Sequence, residues 1–241
     1  MPPEREFTRG VEFEDMLIKN FDNLPQIMKT PAVMMYYEML AEKRAAIVCK
    51  RVFDIVMSLL LIILLSPLML VISVMIKFDS RGPVFFRQPR ITSNMKKFSI
   101  IKFRTMTDGA DENGPLVTVK GDGRITGFGG KLRRSRLDEI PQIINVLTGD
   151  MSLVGTRPEV ERYVKGYTDE MLATLLLPAG LTSRASIIYK DEARLLEKTD
   201  DPDSVYVNEI LPRKMVFNLE YLRDFSLGED MKILAKTLFA V

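Results

Sequence analysis

One stretch of the chain differs from all the others in its pattern of apolar and polar positions. From Ile55 to Ile76, about 22 residues carry no charge, whereas a helix of a soluble core normally keeps a polar stripe. A run of this length can cross the hydrocarbon core of a bilayer. It begins too late and runs too long for the apolar region of a signal peptide. The pattern predicts a membrane helix, and a buried helix of a soluble core is the less favoured alternative.

The surroundings of this run favour a helix that enters and leaves the membrane on one side. A spanning helix shows an excess of basic residues at one end only, but here they flank both ends: Lys43, Arg44, Lys50 and Arg51 upstream, and Lys77, Arg81, Arg87 and Arg90 downstream. Pro67 conflicts with the carbonyl of Ile63, which the hydroxyl of Ser66 can then take up. We predict a re-entrant helix hairpin over residues 46–81, broken at Ser66 and Pro67. A proline-kinked spanning helix is the alternative.

The remaining pattern predicts a small α/β (α+β) domain over residues 82–241. Alternating apolar positions indicate strands at Gly82–Thr92 and Phe98–Met106, and a stretch rich in Gly, Asp and Asn indicates a loop over 107–130. Apolar residues at helical spacing predict a helix from Leu137 to Asp150. Further helices are expected at Val160–Leu177, as one piece or two, and at Ala193–Glu197, Pro212–Arg223 and Asp230–Phe239. Residues 1–45 have an amphipathic pattern and are predicted to be a separate appendage of unknown role.

Composition narrows the chemistry that the chain can perform. It has 241 residues, no histidine and one cysteine, which excludes Ser-His-Asp and Cys-His sites, histidine metal sites and a disulfide framework. The net charge is only +2 and no nucleic-acid recognition motif is present, so nucleic acid is not an expected partner. An enzyme of this composition must use carboxylates, lysine, arginine, hydroxyl groups or a bound metal.

Charged residues with chemical potential gather between residues 96 and 158. Lys102 and Arg104 alternate along a predicted strand and so share a face, while Arg133 closely precedes Asp138 and Glu139. With Arg157, these cations around two carboxylates suggest an anionic substrate such as a phosphate or pyrophosphate, held with a divalent cation. Each piece alone has a plainer interpretation: acidic residues stabilise a helix start, and arginines beside a membrane segment contact lipid headgroups.

Four segments together resemble the bacterial sugar transferases called monotopic phosphoglycosyl transferases. They read KRVFDIVMSLLLIILLSPLMLVISVMIK, GPVFFRQPR, IIKFRTM and LRRSRLDEIPQIINVLTGDMSLVGTRP, and the resemblance runs from about Lys50 to the C-terminus. It implies transfer of a phospho-sugar from a nucleotide diphosphate sugar, usually a UDP-sugar, to a polyprenol phosphate such as undecaprenyl phosphate. It also implies a re-entrant hairpin and interfacial amphipathic helices at the cytoplasmic face of the bacterial inner membrane. This reaction initiates the assembly of surface glycans.

The resemblance also implies roles for individual residues. Asp138 would attack the sugar-side phosphate and form a covalent aspartyl phospho-sugar intermediate, releasing UMP, with Mg²⁺ at Asp138 and Glu139. Lys102, Arg133 and Arg157 match cations of the family and would hold the substrate phosphates, and Lys190 lies roughly where the commoner branch of the family has an arginine. Arg104 and Gln142 are further candidate substrate-binding residues, from their positions in the sequence. Gln142 follows Asp138 by four residues, which in one helix places both on the same face. The role of Glu139 in metal binding, positioning or proton handling stays open.

The chain departs from the family pattern at several positions. Arg136 replaces the usual serine before the carboxylates, and Thr156 replaces a proline beside Arg157. Ala179 and Ser183 replace a proline and a glycine of a later motif. These changes leave the choice of sugar and nucleotide undetermined. A catalytically weak, membrane-docked scaffold for glycan assembly is the alternative function, and a homo-oligomer or contact with downstream glycosyltransferases stays open.

Overall fold

The computed structural model describes residues 18–110, 122–192, 196, 199 and 201–240. Helices and two small sheets alternate along the chain, which confirms the predicted mixed α and β class. The helices are α1 (Pro31–Ala41), α2 (Arg44–Asp79), α3 (Gly127–Arg134), α4 (Gln142–Thr148), α5 (Glu161–Val164), α6 (Arg184–Ile188), α7 (Pro202–Val205), α8 (Leu211–Arg223) and α9 (Leu227–Ala240). The strands are β1 (Phe85–Ile91), β2 (Lys97–Phe103), β3 (Met151–Val154) and β4 (Ala179–Thr182). Short 3₁₀ turns cover Phe21–Asn23, Gln26–Met28, Ser93–Met95, Leu137–Glu139 and Met171–Leu176.

Each sheet has two strands. β1 and β2 confirm the two predicted strands. They pair antiparallel with Phe85 opposite Phe103, and these two rings stack with their centroids 5.5 Å apart. β3 and β4 pair in parallel, with Met151 opposite Ala179. This second pair was not predicted because the strands have four residues each and are buried almost throughout, so they show no alternation.

A close backbone contact follows the β3–β4 pair. A Cβ atom on Gly180 would lie 2.1 Å from the amide nitrogen of Gly155, far inside van der Waals contact. Only glycine allows the two backbones to approach in this way. The contact fixes the path of the chain two residues before Arg157.

The long helix α2 runs without interruption through Ser66 and Pro67. The hydroxyl of Ser66 donates to the carbonyl oxygen of Ile63 at 2.9 Å, which confirms the predicted partner for the carbonyl that Pro67 frees. Among the described residues, α2 is the one helix long and apolar enough to cross a membrane. The re-entrant hairpin over residues 46–81 stays a prediction.

Both ends of α2 pack on the α/β domain. Near its start, Lys50 forms an ion pair with Asp230 at 2.7 Å, and Asp54 accepts a hydrogen bond from the hydroxyl of Ser152 at 2.7 Å. Arg51 donates to the carbonyl oxygens of Val146 and Leu147 at the end of α4. Near its other end, four buried apolar side chains form one cluster: Ile72, Ile76, Phe103 and Leu132. Between Ser58 and Ile72 no residue of α2 is buried.

The N-terminal segment contributes to the main core. Its side chains Met28, Val33, Tyr36 and Leu40 are almost completely buried, in one cluster with residues such as Leu176 and Leu222. The hydroxyl of Tyr36 donates to Glu170 at 2.7 Å. The domain boundary at residue 45 stays a prediction, but residues 18–41 pack with the domain that follows.

The remaining helix predictions have mixed outcomes. Those at Pro212–Arg223 and Asp230–Phe239 are confirmed by α8 and α9. Val160–Leu177 is helical only in part, as α5 and the turn Met171–Leu176, and α3 begins inside the predicted loop 107–130. Residues 111–121 of that loop lie outside the described residues, as do 193–195 and 197 of the predicted helix Ala193–Glu197.

Candidate active site

Asp138 and Glu139 lie in a 3₁₀ turn rather than in a longer helix. The predicted helix Leu137–Asp150 is divided at Pro141, which lacks the N–H that a helix interior requires, and α4 starts at Gln142. The turn begins at Arg136, whose backbone is left-handed with φ 54°. This local geometry separates the two carboxylates from α4 and places them opposite β2.

Glu139 accepts hydrogen bonds from two cations. The ammonium of Lys102 donates to its Oε1 at 2.9 Å, and Arg157 donates to both carboxylate oxygens, through Nη1 to Oε2 at 3.2 Å and through Nη2 to Oε1. Such a two-pronged arginine contact fixes the orientation of both groups. Lys102 comes from the end of β2 and Arg157 from the segment after β3. The turn therefore joins two distant parts of the chain.

The electrostatics of this cluster favour ionised Glu139. Burial alone would raise the pKa of Glu139, but Arg157 and Lys102 outweigh burial and hold the pKa well below its usual range. Glu139 in turn raises the pKa of Arg157. Burial lowers the pKa of Lys102, and Glu139 opposes that shift. Glu139 is thus a fixed anion that holds two cations at the site.

Asp138 has the opposite character. Burial, together with the neighbouring charge of Glu139, raises the pKa of Asp138, and Lys102, Arg133 and Arg157 only partly offset this. No hydrogen bond to its carboxylate forms among the described residues. Two adjacent carboxylates with pKa values shifted in opposite directions commonly have different chemical roles. Here Glu139 is hydrogen-bonded to two cations, whereas Asp138 has no hydrogen bond from a described residue.

The structure brings together five of the predicted site residues: Lys102, Arg133, Asp138, Glu139 and Arg157. Gln142 is completely buried, and neither its amide oxygen nor its amide nitrogen has a partner within the described part of the chain. The spacing argument for Gln142 assumed one helix, whereas Asp138 lies in the 3₁₀ turn and Gln142 begins α4. Its proposed contact with substrate stays a prediction.

Arg104 and Lys190 lie farther from the two carboxylates. Arg104 is buried and donates from Nη2 to the carbonyl and hydroxyl oxygens of Ser80, at 2.7 and 2.9 Å, at the end of α2. The side chain of Lys190 is exposed, and its backbone carbonyl accepts from Nη2 of Arg136 at 2.8 Å. The segment with Lys190 therefore borders the turn Leu137–Glu139 through its backbone.

Sequence reasoning missed a set of buried polar residues behind Arg157. Glu159 is buried and accepts a hydrogen bond from the hydroxyl of Tyr206, which also accepts one from Lys214 at 3.2 Å. The presence of a charged residue two positions after Arg157 was visible in the sequence. Its partners were not, because they lie 47 and more residues away.

The predicted Mg²⁺ can be compared with the donors at this site. Nowhere among the described residues do three or more carboxylate, histidine or cysteine side chains gather as a metal cage. Mg²⁺ is commonly bound by one or two carboxylates together with substrate phosphates. Asp138, whose oxygens accept no hydrogen bond from a described residue, fits that role, whereas Glu139 is already bound to two cations. The site fits the ion in company with a phosphate substrate.

Comparison with known proteins gives a consistent result. Residues 45–241 match the family model described as bacterial sugar transferase. The chain is 38% identical over 196 residues to an undecaprenyl-phosphate glucose phosphotransferase of Komagataeibacter xylinus, with 78% of this chain and 35% of that protein covered. It is 39% identical over 200 residues to a UDP-glucose:undecaprenyl-phosphate glucose-1-phosphate transferase of Escherichia coli K12, with 79% and 39% covered.

A shorter relative matches over almost its whole length. The exopolysaccharide production protein PSS of Rhizobium leguminosarum bv. phaseoli is 37% identical over 202 residues, with 80% of this chain and 94% of that protein covered. By contrast, the chain spans about two fifths of the length of the first two relatives. The residues that match the family model, 45–241, include almost all of the apolar helix and both carboxylates.

Proposed function

The chain belongs to the bacterial sugar transferase family, and we propose that it is a phosphoglycosyl transferase. Its donor is a nucleotide diphosphate sugar, a UDP-sugar by analogy with the substrates named for its relatives, and its acceptor is undecaprenyl phosphate or another polyprenol phosphate. The observation that carries this proposal is the pair of carboxylates with opposite surroundings, one bound to two cations and the other without a hydrogen bond from any described residue.

In the first step Asp138 is the nucleophile. A carboxylate oxygen forms a bond to the phosphorus next to the sugar, and the bond from that phosphorus to the bridging oxygen breaks. The nucleoside monophosphate, UMP for a UDP-sugar, leaves with the electron pair. In the second step an oxygen of the polyprenol phosphate attacks the same phosphorus, and Asp138 leaves as a free carboxylate. The products are a polyprenol diphosphate sugar and UMP.

The surrounding cations make the first step feasible. Attack of an anion on a diphosphate requires that negative charge be neutralised and the reacting atoms be aligned. Lys102, Arg133 and Arg157 supply positive charge beside Asp138, and Glu139 keeps Lys102 and Arg157 in place. Mg²⁺, when bound by Asp138 and the substrate phosphates, would neutralise further charge.

The packing of α2 supports attachment to one face of a membrane. The domain contacts the helix near its start, through Lys50 and Asp54, and near its end, through Ile76. A folded domain lies on one side of a bilayer, so a helix held at both ends by that domain re-enters the same leaflet. This arrangement supports the predicted hairpin and location at the cytoplasmic face of the inner membrane, where the phosphate of the acceptor lipid is exposed.

Release of UMP tests the proposed reaction. Purified protein in detergent is mixed with Mg²⁺, undecaprenyl phosphate and a panel of UDP-, GDP- and TDP-sugars. We expect nucleoside monophosphate release with at least one UDP-sugar, dependent on the polyprenol phosphate and abolished in Asp138→Asn. A folded wild-type chain that releases nothing across the panel would contradict the proposal and favour a role as a scaffold.

A further inference from the structure

Two segments from different parts of the chain border the turn Leu137–Glu139, which carries both carboxylates. One comprises residues 156–159 and contains Arg157, which binds Glu139. The other comprises residues 189–192, and its Lys190 carbonyl accepts a hydrogen bond from Arg136, next to the turn. Neither segment belongs to a strand. The backbone of the first is held at its two ends by strand residues, because the carbonyl oxygen of Thr156 accepts from the amide of Gly180 in β4 at 2.8 Å and that of Glu159 accepts from the amide of Ile91 in β1 at 2.9 Å. Buried side chains then connect the two segments to each other.

Glu159 connects the first segment to Tyr206, in the helical turn that directly precedes α8. Glu159 is buried, and the hydroxyl of Tyr206 donates to its Oε1. Its Oε2 lies 3.9 Å from Nη1 of Arg90, which also donates to the carbonyl oxygen of Pro158 at 3.4 Å. Because Glu159 and Arg157 are two residues apart, fixing the side chain of Glu159 restricts the backbone that positions Arg157.

Lys214 connects this contact to the second segment. Its ammonium group is buried, donates to the hydroxyl of Tyr206 at 3.2 Å and to Oε2 of Glu192 at 2.8 Å, and lies 5.1 Å from the centroid of the Tyr206 ring. The cluster contains two cations and two carboxylates, Arg90, Lys214, Glu159 and Glu192, so it carries no net charge. A buried group of ions is tolerated only when its charges are matched in this way.

A π-helical turn brings Tyr206 and Lys214 to one face. Residues Tyr206–Ile210 form this turn between α7 and α8. In a regular α-helix, residues eight positions apart differ by about 80° around the axis, but the extra residue of a π-turn reduces the difference to about 20°. Such turns are common at functional sites. The irregular turn therefore has a specific result, the alignment of the two residues that bridge the segments.

We propose that Tyr206 and Lys214 are positioning residues that hold both bordering segments, and through Glu159 hold Arg157, in the geometry that phosphoryl transfer requires. This proposal rests on the proposed function. Neither side chain forms a hydrogen bond with Glu139 or Asp138. Tyr206 acts through Glu159 on Arg157, whereas Lys214 acts through Glu192 on the 189–192 segment.

A double-mutant cycle separates positioning from general stability. Tyr206→Phe removes only the hydroxyl and is expected to lower kcat/KM for UMP release about 10-fold. Tyr221→Phe is the matched control, because Tyr221 is equally buried and its hydroxyl donates to Asp230, outside this cluster. The control is expected to stay within about 2-fold of wild type, as expected for a site away from the chemistry. Glu192→Gln, which weakens only the contact to the second segment, is expected to lower kcat/KM as well.

The decisive arm is the double variant. In the Arg157→Lys background, Tyr206→Phe should cause no further loss, because it acts through Arg157. The proposal would be overturned if the losses of kcat/KM in the two single variants multiplied in the double variant, or if Tyr206→Phe had the kcat/KM of wild type. Either result would leave the proposed function intact. The same four proteins can also be compared by their affinity for UDP, which is a binding measurement and needs no turnover. A wild-type chain that neither turns over nor binds UDP would overturn the proposed function, and this proposal with it.

Discussion

Asp138 illustrates, at the level of one residue, a conflict between stability and reactivity. Burial raises its pKa in the folded protein. The free energy of unfolding therefore falls as pH rises through the carboxyl range and Asp138 ionises. We expect Asp138→Asn to abolish transfer and at the same time to raise the thermal unfolding midpoint at pH 7. An unchanged or lower midpoint, measured by calorimetry in detergent, would contradict the unfavourable environment inferred for this carboxylate.

Glu139 has the opposite effect on stability. Its pKa is depressed by Arg157 and Lys102 against the effect of burial, so its stabilising contribution is complete above the unfolded pKa and is lost as pH falls through the lower folded pKa. We expect Glu139→Gln to destabilise the fold by about 1–3 kcal/mol, because Lys102 and Arg157 lose their counter-charge. Denaturant unfolding at neutral pH and at about pH 3 measures this, and the difference between variant and wild type should shrink in acid.

Asp138 and Glu139 also determine how the activity declines at low pH, the acid limb of the pH profile. In the proposed reaction only the ionised form of Asp138 attacks, so we expect activity to fall as pH drops through its raised pKa. Glu139→Gln removes the charge that helps raise the pKa of Asp138 and frees two cations that lower it. The acid limb of kcat/KM in this variant should therefore move to lower pH. A shift to higher pH would show that Glu139 does not act on Asp138 in this way.

At the level of elements, the N-terminal segment provides a clear test. Leu40 on α1 is completely buried in the main core, whereas Met35 on the same helix is about half exposed. We expect Leu40→Ala to cost about 2–5 kcal/mol of unfolding free energy and Met35→Ala to stay within about 0.5 kcal/mol of wild type. Similar small effects from both would indicate that α1 is an appendage that does not support the domain.

The topology of α2 can be tested with engineered cysteines. Cys49 is exposed, so it is first replaced by serine, and single cysteines are then placed near residues 45 and 85. If the helix re-enters one leaflet, a membrane-impermeant thiol reagent should reach both positions only from the cytosolic side. Labelling of the two positions from opposite sides would establish a spanning helix instead.

Elements with a long, regular pattern were predicted from the sequence, and those defined by distant contacts were not. α2, the strands β1 and β2 and the helices α8 and α9 all have a continuous apolar period. β3 and β4 lack one because they are short and buried on both faces. At the site, Lys102, Glu139 and Arg157 were named as candidates from the clustering of charged residues and from the resemblance to the family. The partners Glu159, Tyr206 and Lys214 were not, since their contact depends on a π-turn that no local pattern indicates.

At the level of the whole molecule, the membrane helix and the domain share one set of buried polar contacts. Lys50 and Asp230 are both buried, and Asp230 also accepts from the hydroxyl of Tyr221 at 2.7 Å. We expect Lys50→Met to lower the free energy of unfolding by about 3–5 kcal/mol, because it leaves a buried carboxylate without its cation. The exposed pair of Lys96 and Asp150 is the control, and Lys96→Met should cost less than about 1 kcal/mol. Equal costs would show that the buried pair does not join helix and domain.

The arrangement of α2 also bears on which bilayers can accommodate the protein. The residues of α2 without burial, 59–71, rise about 20 Å in total, or about 10 Å for each arm of a hairpin, which is less than half of a hydrocarbon core about 30 Å thick. A spanning helix must match that thickness, and hydrophobic mismatch sorts such helices among membranes. If α2 is a re-entrant hairpin, as we propose, it is confined to one leaflet and never meets the opposite surface. In that case insertion should be equal in vesicles of short-chain and long-chain phosphatidylcholine, and the protein would be indifferent to the thickness of the membrane that it occupies.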